Sequence, residues 1–231
     1  MDVERFHSPH DAVPVLALFI MPTNGGTHTG ILHRIKGDLF IQDMQWHERF
    51  RSVPCRERYY FVVPALEEEE INDVTGMCRL IHGRHNSIDP TQKYRIPYAF
   101  RYRNNVRFNV QTAELMLGDG LGLTCSTFVL TVFESVNIPL VDFNGWQVRP
   151  DDNRRHDFLL GQMKNGIPSA KIPPAHPDHV ARVQAELPCI RVRPEEVAAT
   201  GLFDDLPAGF TELEPAGQWI LERLAEHPAS S

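Results

Sequence analysis

The chain has no long apolar run, no closely spaced cysteine pair, no internal repeat and no excess of positive charge. Each absence closes off a class of function. Without a run long enough to span a bilayer, the sequence predicts no membrane span. The most apolar early stretch, 13–21, is broken by Pro14 and ends at Pro22. Asp2, Glu4 and Asp11 precede it in place of a basic n-region, so it reads as a buried strand and not as a secretory signal. A formal net charge of −7 argues against a nucleic-acid coat, which needs clustered Lys and Arg. The four cysteines, Cys55, Cys78, Cys125 and Cys189, lie far apart and form no CxxC motif. Reduced thiols in a cytoplasmic protein fit that spacing better than a disulfide framework.

What is present is an ordinary globular composition over 231 residues, enough for one well-buried domain and an extension. Residues 13–20 read as a strand. Segments 27–36 and 39–47 read as a β-hairpin around Gly37-Asp38, and 59–63 as a further strand. Apolar spacing predicts a helix over 65–82, with the acidic run Glu67 to Glu70 at its positive end. Residues 93–110 alternate aromatic or aliphatic with basic side chains and suggest a second hairpin, with Pro97 forcing its first strand to an edge or breaking it. The most apolar helix is predicted over 124–136, after the glycine-rich loop 118–122. Beyond about residue 165 prolines accumulate. That change of texture predicts a catalytic domain over 1–165 and a Pro-rich C-terminal extension over 166–231, with helices near 178–187, 194–200 and 215–226 and a frayed end at 227–231.

Cys125 stands at the start of the buried helix, directly after Thr124, a residue suited to capping it. The thiolate is the reactive form of cysteine, and the free N–H groups and dipole at a helix start favour it. The same N–H groups can hold the oxyanion of a tetrahedral intermediate, and Gly122 leaves the approach to the sulfur open. The plainer alternative is a small buried residue under a glycine-rich turn. Cys78 falls on the apolar stripe of its helix, Cys55 in an arginine-rich loop, and Cys189 in the extension; none shares this setting.

A thiol nucleophile needs a base, usually a histidine held by a third polar group. His28 is favoured among eleven histidines because small residues surround it, whereas His33 has the opposite parity on the strand. If Gly37-Asp38 is a two-residue turn, Lys36 pairs with Leu39 and His28 lies opposite His47. Asp43, Gln45 and His47 then share the face of His28, and any of the three can orient it.

The order His28-Thr-Gly-Ile-Leu, then Leu39-Phe-Ile-Gln-Asp43, then Gly122-Leu-Thr-Cys125-Ser-Thr-Phe-Val resembles the circularly permuted NlpC-type papain-like hydrolases, including the lecithin:retinol acyltransferase-like proteins. The resemblance implies a papain-like α+β fold, an antiparallel sheet packed on a central helix bearing the nucleophile. It implies His28 as base, Asp43 as orienter and Cys125 as nucleophile. Asp43 stands where a His is common in that family, and Thr124 where an Asp or Asn often precedes the Cys.

Other constellations compete. Cys78, His82 and His85 fall at i, i+4 and i+7 of a helix, but no second ligand cluster accompanies them, so no metal is expected. The loop 118–122 lacks the lysine of a phosphate-binding loop. The aromatic and basic stretch 93–108 suggests an amphipathic surface, and Trp146 borders the cleft or packs. The expectation is a hydrolase or acyltransferase that needs no cofactor and acts on an amide, ester or thioester in a small molecule, peptide or lipid. Nucleic acid is not an expected partner. The alternative is an inactive papain-like module binding through 93–108.

Overall fold

A computed structural model describes residues 1–23 and 25–226; the predicted frayed end at 227–231 lies outside them. The strands are β1 (Phe6–His7), β2 (Leu16–Thr23), β3 (Gly26–Ile35), β4 (Asp38–Trp46), β5 (Arg49–Pro54), β6 (Tyr60–Val62), β7 (Arg107–Phe108) and β8 (Leu115–Met116). The helices are α1 (Glu68–His85), α2 (Cys125–Ser135), α3 (Pro150–Asn165), α4 (Pro177–Ala185), α5 (Pro194–Ala199) and α6 (Phe210–Glu226). The fold is α+β. Its main sheet is antiparallel in the order β1-β6-β2-β3-β4-β5, and β7 pairs only with β8.

Strand alternation gives the sheet two apolar faces. Leu16, Leu18, Ile20, Ile31 and Met44 face the helices and join Phe128, Val129, Val132 and Phe133 of α2 in the main core. Truncating a fully buried phenylalanine of this kind to alanine typically costs ~3–5 kcal/mol. The other face carries a smaller cluster of Ala17, Phe19, Leu32, Ile41, Tyr59 and Phe61. Residues on both sides of position 165 share the main core, since Val192, Val197, Ala198, Leu213 and Ile220 belong to it. The proline-rich segment therefore leads into helices that pack under the sheet.

The β3–β4 turn corrects the expected register. Ile35 pairs with Asp38, so Lys36 and Gly37 form the turn, at φ of 52° and 95°. Both central residues thus have the positive φ that a type I′ hairpin turn needs, and Gly37 supplies it at little steric cost. The ladder is displaced by two residues, not one, so side-chain parity is kept. Asp43 still lies on the His28 side of the sheet.

Residues 93–105 form no strand, contrary to the expected second hairpin. Tyr94 and Ile96 insert into the main core, while Tyr98 and Phe100 insert into a second cluster with Leu159, Leu160 and Met163 of α3. This segment instead straps across the molecule: Pro97 accepts a hydrogen bond from Leu123 N–H at 2.9 Å, and Tyr98 N–H donates to His47 Nδ1 at 3.1 Å. A Cβ on Gly122 would stand 2.1 Å from the Pro97 oxygen, so glycine is required for that close approach. Of the aromatic residues expected to form a binding surface, Tyr94, Tyr98, Phe100 and Phe108 are buried and Tyr102 half-buried, and two of the basic ones form ion pairs, Arg103 with Glu186 and Arg107 with Glu134, both at 2.7 Å.

Candidate active site

The ladder between β3 and β4 runs only as far as the Ile31–Gln42 pair. Residues 26–30 continue against β2 alone. Into the resulting gap comes the N-terminus of α2. Thr124 caps that helix reciprocally with Thr127: Thr127 N–H donates to Thr124 Oγ1 at 3.1 Å, and Thr124 N–H donates to Thr127 Oγ1 at 2.7 Å. Cys125 and Ser126 follow as the first helical residues, whose N–H groups have no intrahelical acceptor. The Thr29 backbone N–H and the His28 imidazole both lie close enough to the Cys125 sulfur to favour its thiolate.

His28 Nε2 lies 2.6 Å from Asp43 Oδ2, which leaves Nδ1 to exchange a proton with sulfur. Asp43 is fully buried and is held in turn by a two-pronged contact from Arg51, its cross-strand neighbour. Arg51 Nε donates to Oδ1 at 2.7 Å and Nη2 to Oδ2 at 2.9 Å. Gly30 explains why the carboxylate sits beside the imidazole. A Cβ there would meet Gln42 O and Phe19 Cε1 at 2.5 Å and Asp43 Cβ at 2.7 Å. Any larger residue pushes β4 away.

The electrostatics favour an ion pair. Burial alone disfavours the imidazolium, but the Cys125 thiolate and the Asp43 carboxylate outweigh it and push His28 up to about 10. Burial also disfavours the Cys125 thiolate, and here the His28 charge and hydrogen bond, the Thr29 N–H and Arg191 together hold the thiol below its ordinary value. The other cysteines are shifted the opposite way: burial raises Cys55, Cys78 and Cys189. Of the four cysteines, only Cys125 is thus held below the ordinary thiol value.

The sulfur opens onto a narrow cleft with about 30 Å³ of free space, room for little more than a water. Tyr98, Ser126, Arg155, His156 and Arg191 line it, together with Thr124. A much larger cavity, about 950 Å³, lies elsewhere, between the β4–β5 turn and the segment 172–184. Its volume does not make it the reactive site, because no cysteine lines it.

The structure therefore brings together Cys125, His28, Asp43 and Thr124 and separates the remaining sequence candidates from them. His47 lines the large cavity and packs against His179, the two rings tilted with centroids 5.0 Å apart. Gln45 is exposed. Gly122 supports the Pro97 strap, and Trp146 packs between Phe143 and Phe210. The helical trio is dispersed among separate contacts: Cys78 is buried in the main core, His82 Nδ1 lies 2.9 Å from Ser52 Oγ, and His85 Nδ1 accepts from Tyr94 N–H at 3.2 Å. Among the described residues no group of three His, Cys, Asp or Glu is arranged to hold a metal, and no helix is long and apolar enough to cross a membrane.

Sequence reasoning did not find Arg51, Tyr98, Arg155, His156 or Arg191 as site residues. Arg51 becomes legible once β5 is paired with β4, because it then stands opposite Asp43. The other four come from the strap, α3 and the segment before α5, and no local spacing announces that those meet. Comparison of the chain with protein-family models, with curated proteins and with solved structures finds no match.

Proposed function

We propose that the chain is a cysteine-dependent hydrolase or acyltransferase of papain-like, permuted NlpC-type design, acting on an amide, ester or thioester of a small molecule, peptide or lipid. The reading rests on one observation: a histidine hydrogen-bonded to a buried carboxylate stands beside a helix-start cysteine, close enough for imidazole and sulfur to favour each other's charged form.

The chemistry uses the chain's own groups. The Cys125 thiolate attacks the acyl carbon, a C–S bond forms, and the carbonyl electron pair moves onto oxygen. The Cys125 and Ser126 N–H groups donate to that oxyanion, and removal of one such donor typically costs ~3 kcal/mol of transition-state stabilisation. Collapse re-forms the carbonyl and expels the amine, alcohol or thiol, which takes its proton from His28. Water or another acceptor then gives a proton to neutral His28 and attacks the thioester. The thiolate leaves, and the ion pair is restored. Asp43 keeps the imidazole oriented throughout, and Arg51 fixes Asp43.

The test is acyl transfer from p-nitrophenyl acetate, followed by intact-mass and peptide mapping. The expected result is release of p-nitrophenol with one acetyl group on Cys125, abolished in Cys125→Ala and strongly slowed in His28→Ala. Release unchanged in Cys125→Ala would overturn the reading and leave the inactive binding module as its successor.

A further inference from the structure

The walls of the Cys125 cleft carry charge that the acyl-transfer chemistry does not use. Arg155, from α3, is half-buried and lines the cleft. Its guanidinium lies against the β2–β3 turn, where a Cβ on Gly25 would be 3.2 Å from Nη1. Among the described residues it forms no ion pair with a carboxylate; Glu195 acts on it only from a distance, and its guanidinium lies over the face of Phe158, 5.3 Å from the ring centroid. The neighbouring arginines are committed. Arg149, Arg191 and Arg193 all reach Asp152, at 3.0, 3.4 and 3.2 Å. The nearby acid Glu195 accepts a hydrogen bond from the Thr27 hydroxyl.

A second observation at the same cleft points the same way. His156 is 1% exposed and lines the cavity, yet neither ring nitrogen has a hydrogen-bond partner. A buried polar group of that kind costs free energy unless something pairs with it. An uncommitted guanidinium, a second arginine weakly held at 3.4 Å, and an orphaned imidazole therefore converge on a space beside the nucleophile.

We infer that the substrate carries a carboxylate close to its scissile acyl group, bound by Arg155 with Arg191 and His156 completing its hydrogen bonds. This specificity rests on Cys125 being the nucleophile. A carboxylate matches the arginine fork and offers further acceptor sites to a ring N–H. Asp152 already draws on Arg191, and Glu195 lies near enough to act on Arg155, so the positive charge the site offers is limited. A monoanion suits it better than a phosphate dianion.

The narrow cleft calls for a small probe, and two alkylating reagents of nearly equal size differ in this one property: iodoacetate is anionic and iodoacetamide is neutral. Both react by forming a bond from the Cys125 sulfur to their methylene carbon as the C–I bond breaks and iodide leaves. The experiment measures both rates at Cys125 by mass spectrometry in the wild type, Arg155→Gln, Arg191→Gln and Arg155→Lys. In Arg155→Gln the iodoacetate-to-iodoacetamide rate ratio falls about tenfold, the equivalent of one charge-assisted hydrogen bond of ~1.4 kcal/mol. Arg191→Gln lowers the ratio less, Arg155→Lys restores part of it, and added salt weakens the wild-type preference. A ratio unchanged in both glutamine variants, with Cys125 still labelled selectively, would overturn the carboxylate assignment alone. Loss of selective labelling by both reagents in the wild type would instead overturn the nucleophile on which it rests.

Discussion

Replacing Asp43 by Asn removes the negative charge that stabilises the His28 imidazolium while keeping the side chain's shape. The wild-type contact is short, 2.6 Å, and fully shielded from water at the carboxylate. A hydrogen bond to a charged group contributes ~1.5–3 kcal/mol. Since ~1.4 kcal/mol corresponds to a tenfold change in a protonation equilibrium, losing this contact lowers the imidazolium-thiolate population about ten- to a hundredfold. Some of that loss is recovered if the amide oxygen turns towards the ring, which places the expectation nearer tenfold. The assay is the rate of Cys125 alkylation by iodoacetamide across pH, with near-ultraviolet circular dichroism confirming that tertiary packing survives. In the wild type the rate rises on the acid side as a lowered thiol loses its proton, and holds a plateau above that limb. In Asp43→Asn the acid limb moves to higher pH and the rate at pH 7 drops. An unchanged profile in a folded variant would refute the argument that Asp43 acts on sulfur through the imidazole.

Gly30→Ala forces a Cβ to within 2.7 Å of Asp43 Cβ and 2.5 Å of a β4 carbonyl; overpacking of this kind costs ~1–3 kcal/mol. It lowers the melting temperature and slows Cys125 alkylation together, and a variant as stable and as reactive as the wild type would contradict the packing argument. Acid acts through His33, which is fully buried with neither nitrogen paired and is held down to about 3 by burial first and by His82 and Arg79. The unfolded chain therefore binds more protons than the folded one between about pH 6.5 and 3, so stability falls as pH drops through that range. Urea midpoints measured from pH 7 to 4 should decline less steeply in His33→Leu; equal slopes would count against it.

Much of this site was legible locally. The buried run 128–133 and the preceding Thr124 mark a helix start with Cys125 in its first turn, because capping and helix periodicity are short-range signals. The face shared by His28 and Asp43 survived a mistaken turn, since a two-residue displacement keeps alternation. Less was legible where chain segments meet over long distances. Strand β5 escaped notice because the β4–β5 turn, His47-Glu48, has no glycine or asparagine, although Glu48 has a φ of 56°. The alternation over 93–110 resembled a strand because its aromatic residues are buried, yet they serve two different cores. Arg155 lies on α3, a helix that sequence reasoning did not identify. Only the fold shows that it reaches the cleft.

The thiolate absorbs ultraviolet light more strongly than the thiol, and the difference in absorbance between the wild type and Cys125→Ser, titrated from alkaline pH down into acid, reports its charge directly. The ion-pair account predicts a thiolate signal already present at neutral pH and lost only on acidification. A signal that first emerges near pH 9, the ordinary value for a thiol, would contradict it.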